Sequence, residues 1–315
     1  MAITPANFEE VSAALRESSA QKRPLPPIDL TRLSNVVDHT PEDMTITVEA
    51  GLNFAAFQQL LATHNQWLPI DPPCAENLTL ADILNRNLSG PRRCGYGTIR
   101  DYLIGMRVAL ADGRIIKSGG KVVKNVAGYD LAKLFIGAQG ALGLIVEASF
   151  KVLPRPEAEV FLTAPANTFA DVEVLRAKVR QSPLRPCIFD AYENDSGQIS
   201  ICLGFDGARE DVAAQQAIAQ QLGFTPSLAL NYWSEFWTHS ERPRRISVLP
   251  SRTVESLVQL FNKASSQRQR FVAHLANGII FHRQPTTPPA IPLPELTARA
   301  KAVFDPHGIF PIYSP

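Results

Sequence analysis

The pattern of this sequence changes at Pro154 and Pro156, and that change constrains the fold more than any other feature. Before it, short runs of alternating apolar and polar residues, such as Ile104–Leu110, are separated by glycine-containing loops. After it, longer strand-like and helix-like segments follow one another. A chain of 315 residues suits two domains of about 150 residues each. We therefore predict one domain over residues 1–156 and a second over residues 157–315.

The second domain is predicted to have a ferredoxin-like core. Its segments are strand 160–163, helix 169–181, strands 187–193 and 199–205, helix 208–222 and strand 228–230. This βαββαβ order is that of ferredoxin-like folds. A partial repeat of the order follows, with strands at 245–249, 271–276 and 279–283 and a helix at 253–266. We expect both parts to share one antiparallel sheet. We also expect a C-terminal helix, 295–304, to return to the first domain.

The first domain is predicted to combine short strands with short helices. Thr4-Pro5 is typical of a helix start, and Asn53 can cap a second helix. Leu80–Leu84 suggests a third, short helix. We expect strands on both sides of a turn at Thr40–Asp43, and Asp112-Gly113 is typical of a tight hairpin turn.

Composition excludes several classes of protein. Lysine plus arginine number 31 against 30 for aspartate plus glutamate, so charge gives no reason to expect nucleic acid or an anionic membrane as the main partner. No run approaches the roughly 20 apolar residues of a membrane span. The first residues lack the pattern of a signal peptide, and the four cysteines form no CxxC pair. We therefore expect a cytoplasmic protein with reduced thiols and no direct membrane insertion.

Three glycines at Gly137, Gly140 and Gly143 have the spacing of a dinucleotide-binding loop, but their context is wrong for one. In the Rossmann fingerprint the glycines follow a strand and open a helix, so that phosphate meets the helix N-terminus. Here a short predicted helix, 132–136, precedes them and a predicted strand, 144–152, follows. The sequence also lacks a P-loop. We therefore reject both nucleotide-binding motifs.

Glycine loops nevertheless predict a ligand-binding surface. The loops 79–97, 118–131 and 137–143 join glycine to small polar residues. Such loops let backbone N–H groups approach an anion closely. Arg92, Arg93 and Arg100 would add positive charge. The alternatives are that these glycines serve tight turns and that these arginines lie in a solvated loop.

Several segments, taken in order, resemble a known family. They are Asp29-Leu-Thr-Arg-Leu33, Val48-Glu-Ala-Gly51, Leu68–Pro73, Asn87–Arg93, Tyr96-Gly97, Arg100-Asp101, Lys124–Leu131, Gly140–Gly143, Val152–Pro156 and Phe304–Phe310. The chain resembles the vanillyl-alcohol-oxidase/p-cresol-methylhydroxylase (VAO/PCMH) superfamily, and within it the E-type, FAD-binding subunit of bacterial glycolate oxidase. The likeness spans nearly the whole chain, and the run Lys124–Leu131 is specific to the E-type subunit.

The resemblance implies an α+β fold, with a two-lobed PCMH/VAO-type FAD-binding domain and a ferredoxin-like cap domain with an antiparallel sheet. It implies FAD as the cofactor and a glycolate-oxidase-like complex with a catalytic flavoprotein subunit and an iron–sulfur subunit. By position, the residues expected at FAD are Pro72, Thr79, Ser89, Gly90, Gly97, Gly140, Gly143 and Ile145. Pro72 would lie near the flavin, and the last three would approach FAD through their backbone.

Two departures from the family pattern weaken the expected FAD site. The family has a Pro-Gly-Gly-Gly-Thr type loop around the pyrophosphate, whereas here Arg23–Pro27 leads directly into Ile28-Asp29-Leu30. Proline has no N–H with which to replace that loop. The family's Thr-Leu-Gly-Gly is Thr79-Leu80-Ala81-Asp82, which places a carboxylate near a diphosphate. Hydrogen bonds to charged groups contribute about 1.5–3 kcal/mol each, so losing two or three would lower affinity by roughly two to six powers of ten. We predict weak or absent FAD binding.

The sequence assigns no catalytic or metal-binding residue. The D-type subunit of the same complex has His-Ala-Gly-Asp-Gly-Asn-Leu-His, and this chain has His274-Leu-Ala-Asn-Gly-Ile-Ile-Phe281 followed by His282. The acid and the second histidine are not in place. His274 and His282 are therefore interpreted as strand histidines, and no HExxH motif occurs.

Three functions remain open from the sequence. The first is a non-catalytic E-type subunit of an FAD-dependent 2-hydroxy-acid oxidoreductase complex. The second is a subunit that still binds FAD and takes part in the redox reaction. The third is a protein that uses the same cleft for another ligand.

Overall fold

The computed structural model describes residues 2–120, 131–194, 196–227, 230–238, 243–262, 270–283 and 295–311. The chain divides into two compact units. The first comprises Met1–Leu88, Thr98–Arg155 and Pro289–Pro315, and the second comprises Ser89–Gly97 and Pro156–Pro288. The short segment Ser89–Gly97 therefore groups with the second half of the chain, although its sequence neighbours on both sides belong to the first unit.

The elements up to Arg155 are short. In chain order they are α1 (Phe8–Ala20), β1 (Val36–Thr40), β2 (Thr45–Glu49), α2 (Phe54–Ala62), β3 (Gln66–Trp67), α3 (Leu80–Arg86), α4 (Arg93–Tyr96), α5 (Ile99–Tyr102), β4 (Leu103–Ala109), β5 (Ile115–Gly119), α6 (Ala132–Phe135), β6 (Leu144–Lys151) and β7 (Leu153–Pro154). Five of the described strands form an antiparallel sheet in the order β1-β2-β6-β4-β5, and β3 pairs with β7.

Most of the local predictions for this half are confirmed. The turn after Thr40 joins β1 to β2, and the Asn53 side chain caps α2 by accepting from the Ala56 N–H at 3.1 Å. Gly113, with φ of 80°, turns the β4–β5 hairpin. The predicted helix start at Thr4-Pro5 is wrong. The Asn7 side chain accepts from the Glu10 N–H at 2.9 Å, so α1 begins at Phe8.

The C-terminal residues complete the core of the first unit. Ile309 and Phe310 are buried together with Val11, Leu15 and Leu144. The Leu25 N–H donates to the Ile309 carbonyl at 2.8 Å, which ties the end of the chain to its beginning. The predicted closing helix is α11 (Glu295–Phe304), and it precedes these residues in the same unit.

The elements after Arg155 range from 3 to 13 residues. They are β8 (Ala158–Ala166), α7 (Phe169–Gln181), β9 (Ile188–Glu193), β10 (Ile199–Gly207), α8 (Arg209–Gln221), β11 (Thr225–Ser227), α9 (Asn231–Trp237), β12 (Arg244–Ser247), α10 (Thr253–Asn262), β13 (Phe271–His274), β14 (Ile279–His282) and α11 (Glu295–Phe304). The described strands form one antiparallel sheet in the order β11-β8-β10-β9-β13-β14-β12.

This sheet confirms the predicted fold of the second half. The sequence β8-α7-β9-β10-α8-β11, with spatial order β11-β8-β10-β9, is the ferredoxin-like arrangement, and the partial repeat extends the same sheet. The described strand after α8 is Thr225–Ser227, and Leu230 of the predicted strand 228–230 directly precedes α9. Residues 228 and 229 of that predicted strand lie outside the described part of the chain, as do residues 263–266 of the predicted helix 253–266.

The two faces of this sheet bury different side chains. Phe189, Ala191, Leu203 and Phe271 pack in an aliphatic and aromatic core together with residues of α7, α8 and α10. The side chains that alternate with them along the strands form a second cluster with aromatic residues of α9. In the residues that the structure describes, no helix is long and apolar enough to cross a membrane.

Candidate functional site

The start of α3 is closed, which means that its backbone N–H groups already donate to acceptors within the protein. The Asp82 Oδ2 atom accepts from the Thr79 N–H at 2.9 Å and from the Thr79 hydroxyl at 2.7 Å, and the Asp82 N–H donates to the Thr79 Oγ1 at 3.1 Å. The Leu80 N–H donates to the Leu52 carbonyl at 3.0 Å and the Ala81 N–H to the Ala50 carbonyl at 2.7 Å. Each amide from Thr79 to Asp82 therefore already has an acceptor, which differs from the open N-terminus of a typical anion site.

The glycine loop after α6 lies against the other end of α3. The Gly137 N–H donates to the Leu84 carbonyl at 2.9 Å, and the Gln139 N–H donates to the Asn85 carbonyl at 2.8 Å. The rejection of a dinucleotide loop is confirmed, because α6 precedes these glycines and β6 follows them. The loop thus satisfies the carbonyl groups that the end of a helix leaves open.

The two later glycines of this loop have different roles. Gly140 has a φ of 75°, and no atom of the described residues lies within 4 Å of the position that a Cβ atom would occupy. A Cβ atom on Gly143 would lie 2.6 Å from the Val108 Cγ1 atom and 3.1 Å from the Ala109 carbonyl oxygen. Gly143 is therefore required by packing against β4, whereas Gly140 faces open space.

A buried ion pair near the C-terminus holds the same loop. The Lys301 Nζ atom donates to the Ala141 carbonyl at 2.9 Å and to the Asp305 Oδ2 atom at 2.6 Å. Asp305 is buried and also accepts from the N–H groups of Ile309 and Phe310, both at 2.9 Å. The segment Phe304–Phe310, on which part of the family resemblance depends, thus fixes the glycine loop.

The first unit contains five of the eight residues that were predicted to lie at FAD. They are Pro72, Thr79, Gly140, Gly143 and Ile145. Pro72 is buried, and Ile145 is fully buried in β6 opposite Val108. The start of α3 connects to β6 through Ala50, which accepts from Ala81 and donates to the Val146 carbonyl at 2.9 Å. The run 124–130 of the family motif lies outside the described residues.

The other three predicted FAD residues, Ser89, Gly90 and Gly97, belong to the second unit. Arg92, between them, is only 11% exposed and forms ion pairs with Glu159 and with Asp206, the latter at 2.8 Å. The Tyr96 hydroxyl donates to the other Asp206 oxygen at 2.8 Å. Desolvation, followed by this hydrogen bond, raises the pKa of Tyr96 well above its usual value.

These contacts correct the expectation for Arg92. Two carboxylates compensate its charge, so it neither supplies positive charge to a ligand nor lies in a solvated loop. Arg93 donates to the Ser89 hydroxyl at 3.3 Å, and Arg100 is exposed. Gly95 packs against Cys187, the residue directly before β9, and a Cβ atom on Gly95 would lie 2.7 Å from the Cys187 Cα atom. The segment Ser89–Gly97 is therefore bound tightly to the second unit's own strands.

A buried polar network on the α9 face of the large sheet was missed from the sequence. Asp190 is fully buried; its Oδ1 atom contacts the His274 Nδ1 atom at 2.7 Å, and its Oδ2 atom accepts from the Tyr232 hydroxyl at 2.8 Å. The rings of Trp233 and Phe281 flank His274 at 5.5 and 5.6 Å. The His274 Nε2 atom is buried and has no hydrogen-bond partner among the described residues.

The network forms because the register of β13 with β9 sets His274 directly opposite Asp190. The interpretation of His274 and His282 as strand histidines is confirmed, since they lie in β13 and β14. In the described residues, no group of three or more His, Cys, Asp or Glu side chains could hold a metal ion. A paired aspartate and histidine can accept or donate a proton, but the sequence spacing of 84 residues gave no signal of their contact.

Comparison with known proteins agrees with the sequence resemblance. Residues 27–119 match the FAD binding domain family. The chain is 33% identical over 208 residues to glycolate oxidase subunit GlcE of Escherichia coli K12, covering 62% of this chain and 59% of that subunit. It is 33% identical over 181 residues to subunit GlcD of Bacillus subtilis 168, covering 51% of this chain and 38% of that one. The chain thus spans less than two thirds of the length of these relatives, 59% of one and 38% of the other.

Solved structures show the same fold. An alkyldihydroxyacetonephosphate synthase superposes with a TM-score of 0.72 at 18% identity, covering 98% of this chain and 75% of that one. The predicted fold class is therefore confirmed as the PCMH/VAO type. Residues 27–119 are thus similar to a PCMH-type FAD binding domain, and the chain is similar to glycolate oxidase subunits.

Proposed function

We propose that this chain is a subunit of an FAD-linked 2-hydroxy-acid oxidoreductase complex, that it is non-catalytic on its own, and that it binds FAD weakly or not at all. Its partners in this proposal are a catalytic flavoprotein subunit and an iron–sulfur subunit, in the cytoplasm. Similarity to subunits of glycolate oxidase supports the kind of complex. In this proposal the residues up to about 156 are the FAD-binding-type domain, and those after it are the cap domain.

The single observation that carries the proposal is the closed start of α3. The pyrophosphate of FAD needs N–H donors, and the described residues from Thr79 to Asp82 have already committed theirs. The Asp82 carboxylate lies at this helix start, where its charge would repel a diphosphate. The described residues therefore do not fit the pyrophosphate at this helix start, and we derive no catalytic step through FAD.

The ion pairs of Arg92 also support weak or absent FAD binding. An arginine that forms ion pairs with Glu159 and Asp206 cannot turn to a phosphate without breaking both ion pairs, and the Asp206 side chain is only 4% exposed. Leaving a buried charge unpaired costs about 3–5 kcal/mol. This cost exceeds the roughly 1.5–3 kcal/mol that a new hydrogen bond to a phosphate would contribute.

One observation favours the alternative of a subunit that still binds FAD. The open space at Gly140 leaves room for a ligand to approach the backbone of the glycine loop, which Lys301 holds in place. The same opening suits the third possibility, a different ligand in place of FAD. Both alternatives require affinity from the glycine loop without the start of α3.

Titration with FAD of matched variants tests the proposal. The wild-type chain should show no saturable binding at micromolar FAD. The variant Ala81→Gly/Asp82→Gly removes the carboxylate and frees the Thr79 N–H and hydroxyl, so its affinity should rise by about tenfold or more. Asp171→Gly is the control, because Asp171 closes α7 with the same bonds to Thr168, at 2.9 and 3.0 Å. A submicromolar wild-type affinity at one FAD per chain would contradict the proposal.

A further inference from the structure

A cavity of about 370 Å³ lies between α1 and the β4–β5 hairpin of the first unit. Its volume is within the range of about 300–1,000 Å³ found for small-molecule sites. Apolar and cationic side chains line it together, among them Phe8, Ile115, Ile116, Arg16, Arg107 and Lys117. None of these residues belongs to α3 or the glycine loop, so the cavity is separate from the site discussed above.

The cationic side chains of the cavity are not fully compensated. In the described part of the chain, Arg16 and Lys117 have no carboxylate within 4 Å, whereas the Arg107 Nε atom contacts the Glu147 Oε1 atom at 3.2 Å. Glu9 also lines the cavity. Arg16, Arg107 and Lys117 carry three positive charges. Glu9 and Glu147 carry two negative charges, so the net charge around the cavity is +1. Such an excess attracts a single anionic group.

Two of the cations are held in place by packing. Glu147 is only 7% exposed on its side chain, so its contact fixes the Nε edge of Arg107 and leaves the two Nη groups for another acceptor. The turn at Gly113 lies directly on Arg16, since a Cβ atom there would lie 2.5 Å from the Arg16 Cγ atom. A side chain that is already ordered loses less entropy when it binds a ligand.

The composition of the lining indicates the class of ligand. Phe8 and Ile115 belong to the partly buried shell of the first unit's core and offer an apolar floor. A free phosphate ion would make no contact with that apolar floor. An aliphatic carboxylate can contact the cationic side chains with its carboxylate and the apolar floor with its hydrocarbon chain. We propose that this cavity binds a small organic carboxylate, with the carboxylate at Arg16, Arg107 and Lys117 and the hydrocarbon chain on Phe8 and Ile115.

Calorimetric titration of the full chain with acetate, butyrate and hexanoate, at ionic strength matched with chloride, tests this proposal. Binding should saturate at one per chain and strengthen from acetate to hexanoate, because the longer chain covers more of the apolar floor. The variant Arg16→Gln/Lys117→Gln should bind hexanoate about tenfold more weakly or worse. Arg114→Gln is the control, because Arg114 lies on the same hairpin, is paired with Asp112 and does not line the cavity.

Three results would overturn the proposal. They are no saturable binding of any probe at millimolar concentration, unchanged binding in Arg16→Gln/Lys117→Gln, and an equal loss in Arg114→Gln. Arg16 and Lys117 are exposed, so the double variant should unfold at the same urea concentration as the wild type. A loss of hexanoate binding with an unchanged unfolding transition would therefore support the site.

Discussion

At the scale of single residues, Asp190 has the largest predicted effect on stability. Replacing it with alanine removes the carboxylate that accepts from the Tyr232 hydroxyl and contacts a His274 ring nitrogen, both of which are buried. We expect Asp190→Ala to lower the free energy of unfolding by about 3–5 kcal/mol. Urea unfolding measures this loss. Asp112→Ala is the control, because its pair with Arg114 is exposed and should contribute less than about 1 kcal/mol. Equal losses in the two variants would contradict the importance of the buried network.

The cysteines should differ sharply in reactivity. Desolvation, followed by the charge of Asp190, raises the pKa of Cys94 to about 12, and desolvation also raises the pKa values of Cys187 and Cys202. The native chain should therefore have one fast thiol towards a disulfide reagent at pH 8, the exposed Cys74, and Cys74→Ser should remove the fast phase. A fast phase that persists in Cys74→Ser would show that a buried thiol is accessible.

The raised pKa of the Cys94 thiol predicts that the folded chain becomes less stable at high pH. A raised thiol pKa means that the folded chain prefers the protonated form, so the stability contribution is fully present below the unfolded pKa near 9. It declines as the pH rises from there through the folded pKa of Cys94, about 12. Urea midpoints should therefore fall above pH 9 more in wild type than in Cys94→Ala, and equal slopes would contradict the assignment.

For single residues, strand positions could be predicted from the sequence, whereas contacts between distant strands could not. The strand positions of His274 and His282 follow from local alternation and could be predicted. The contact of His274 with Asp190 depends on the register between β9 and β13, which local pattern does not encode. Thr79 could be placed near a ligand by resemblance, but the bond from its hydroxyl to Asp82 is a property of the folded helix start.

At the scale of elements, alanine should destabilise the chain more at Gly95 than at Gly140. A Cβ atom on Gly95 would meet backbone and Cβ atoms of Cys187 at 2.7 and 2.9 Å, so Gly95→Ala should displace α4 and cost about 1–3 kcal/mol or more. In Gly140→Ala the new Cβ atom meets no described atom within 4 Å, so the variant should lose only the roughly 1–2 kcal/mol of a positive φ. Urea unfolding of both variants makes the comparison, and a larger loss in Gly140→Ala would contradict the packing described for α4.

Capping signals in the sequence had mixed success. Asn53 marks the start of α2 as predicted, whereas α1 begins after Asn7 and not at Thr4-Pro5. The helix α8 has no side-chain cap, and it lies within one residue of the predicted bounds 208–222 at each end. The helix α9 has no side-chain cap, and its seven residues are too short to show a clear period. Its position follows from packing of Tyr232, Trp233 and Phe236 on the sheet, which local sequence does not reveal.

At the scale of the whole molecule, the ferredoxin-like order and the single large sheet could be predicted because they depend on the sequence order of the elements. The membership of Ser89–Gly97 in the second unit could not. It depends on ion pairs of Arg92 with residues 67 and 114 positions away. Resemblance gave the FAD-type fold, while the closed start of α3 became visible only with its hydrogen bonds.

Whether this chain retains FAD can be measured from the absorbance of the flavin. The visible absorption spectrum of the purified chain, recorded before and after adding excess FAD and removing the unbound part, reports how much flavin the chain retains. We predict no flavin band in the purified chain and none retained after the addition, because the start of α3 offers no open N–H to the pyrophosphate. A flavin band that corresponds to one FAD per chain would contradict this account and show that the glycine loop is sufficient to hold the cofactor.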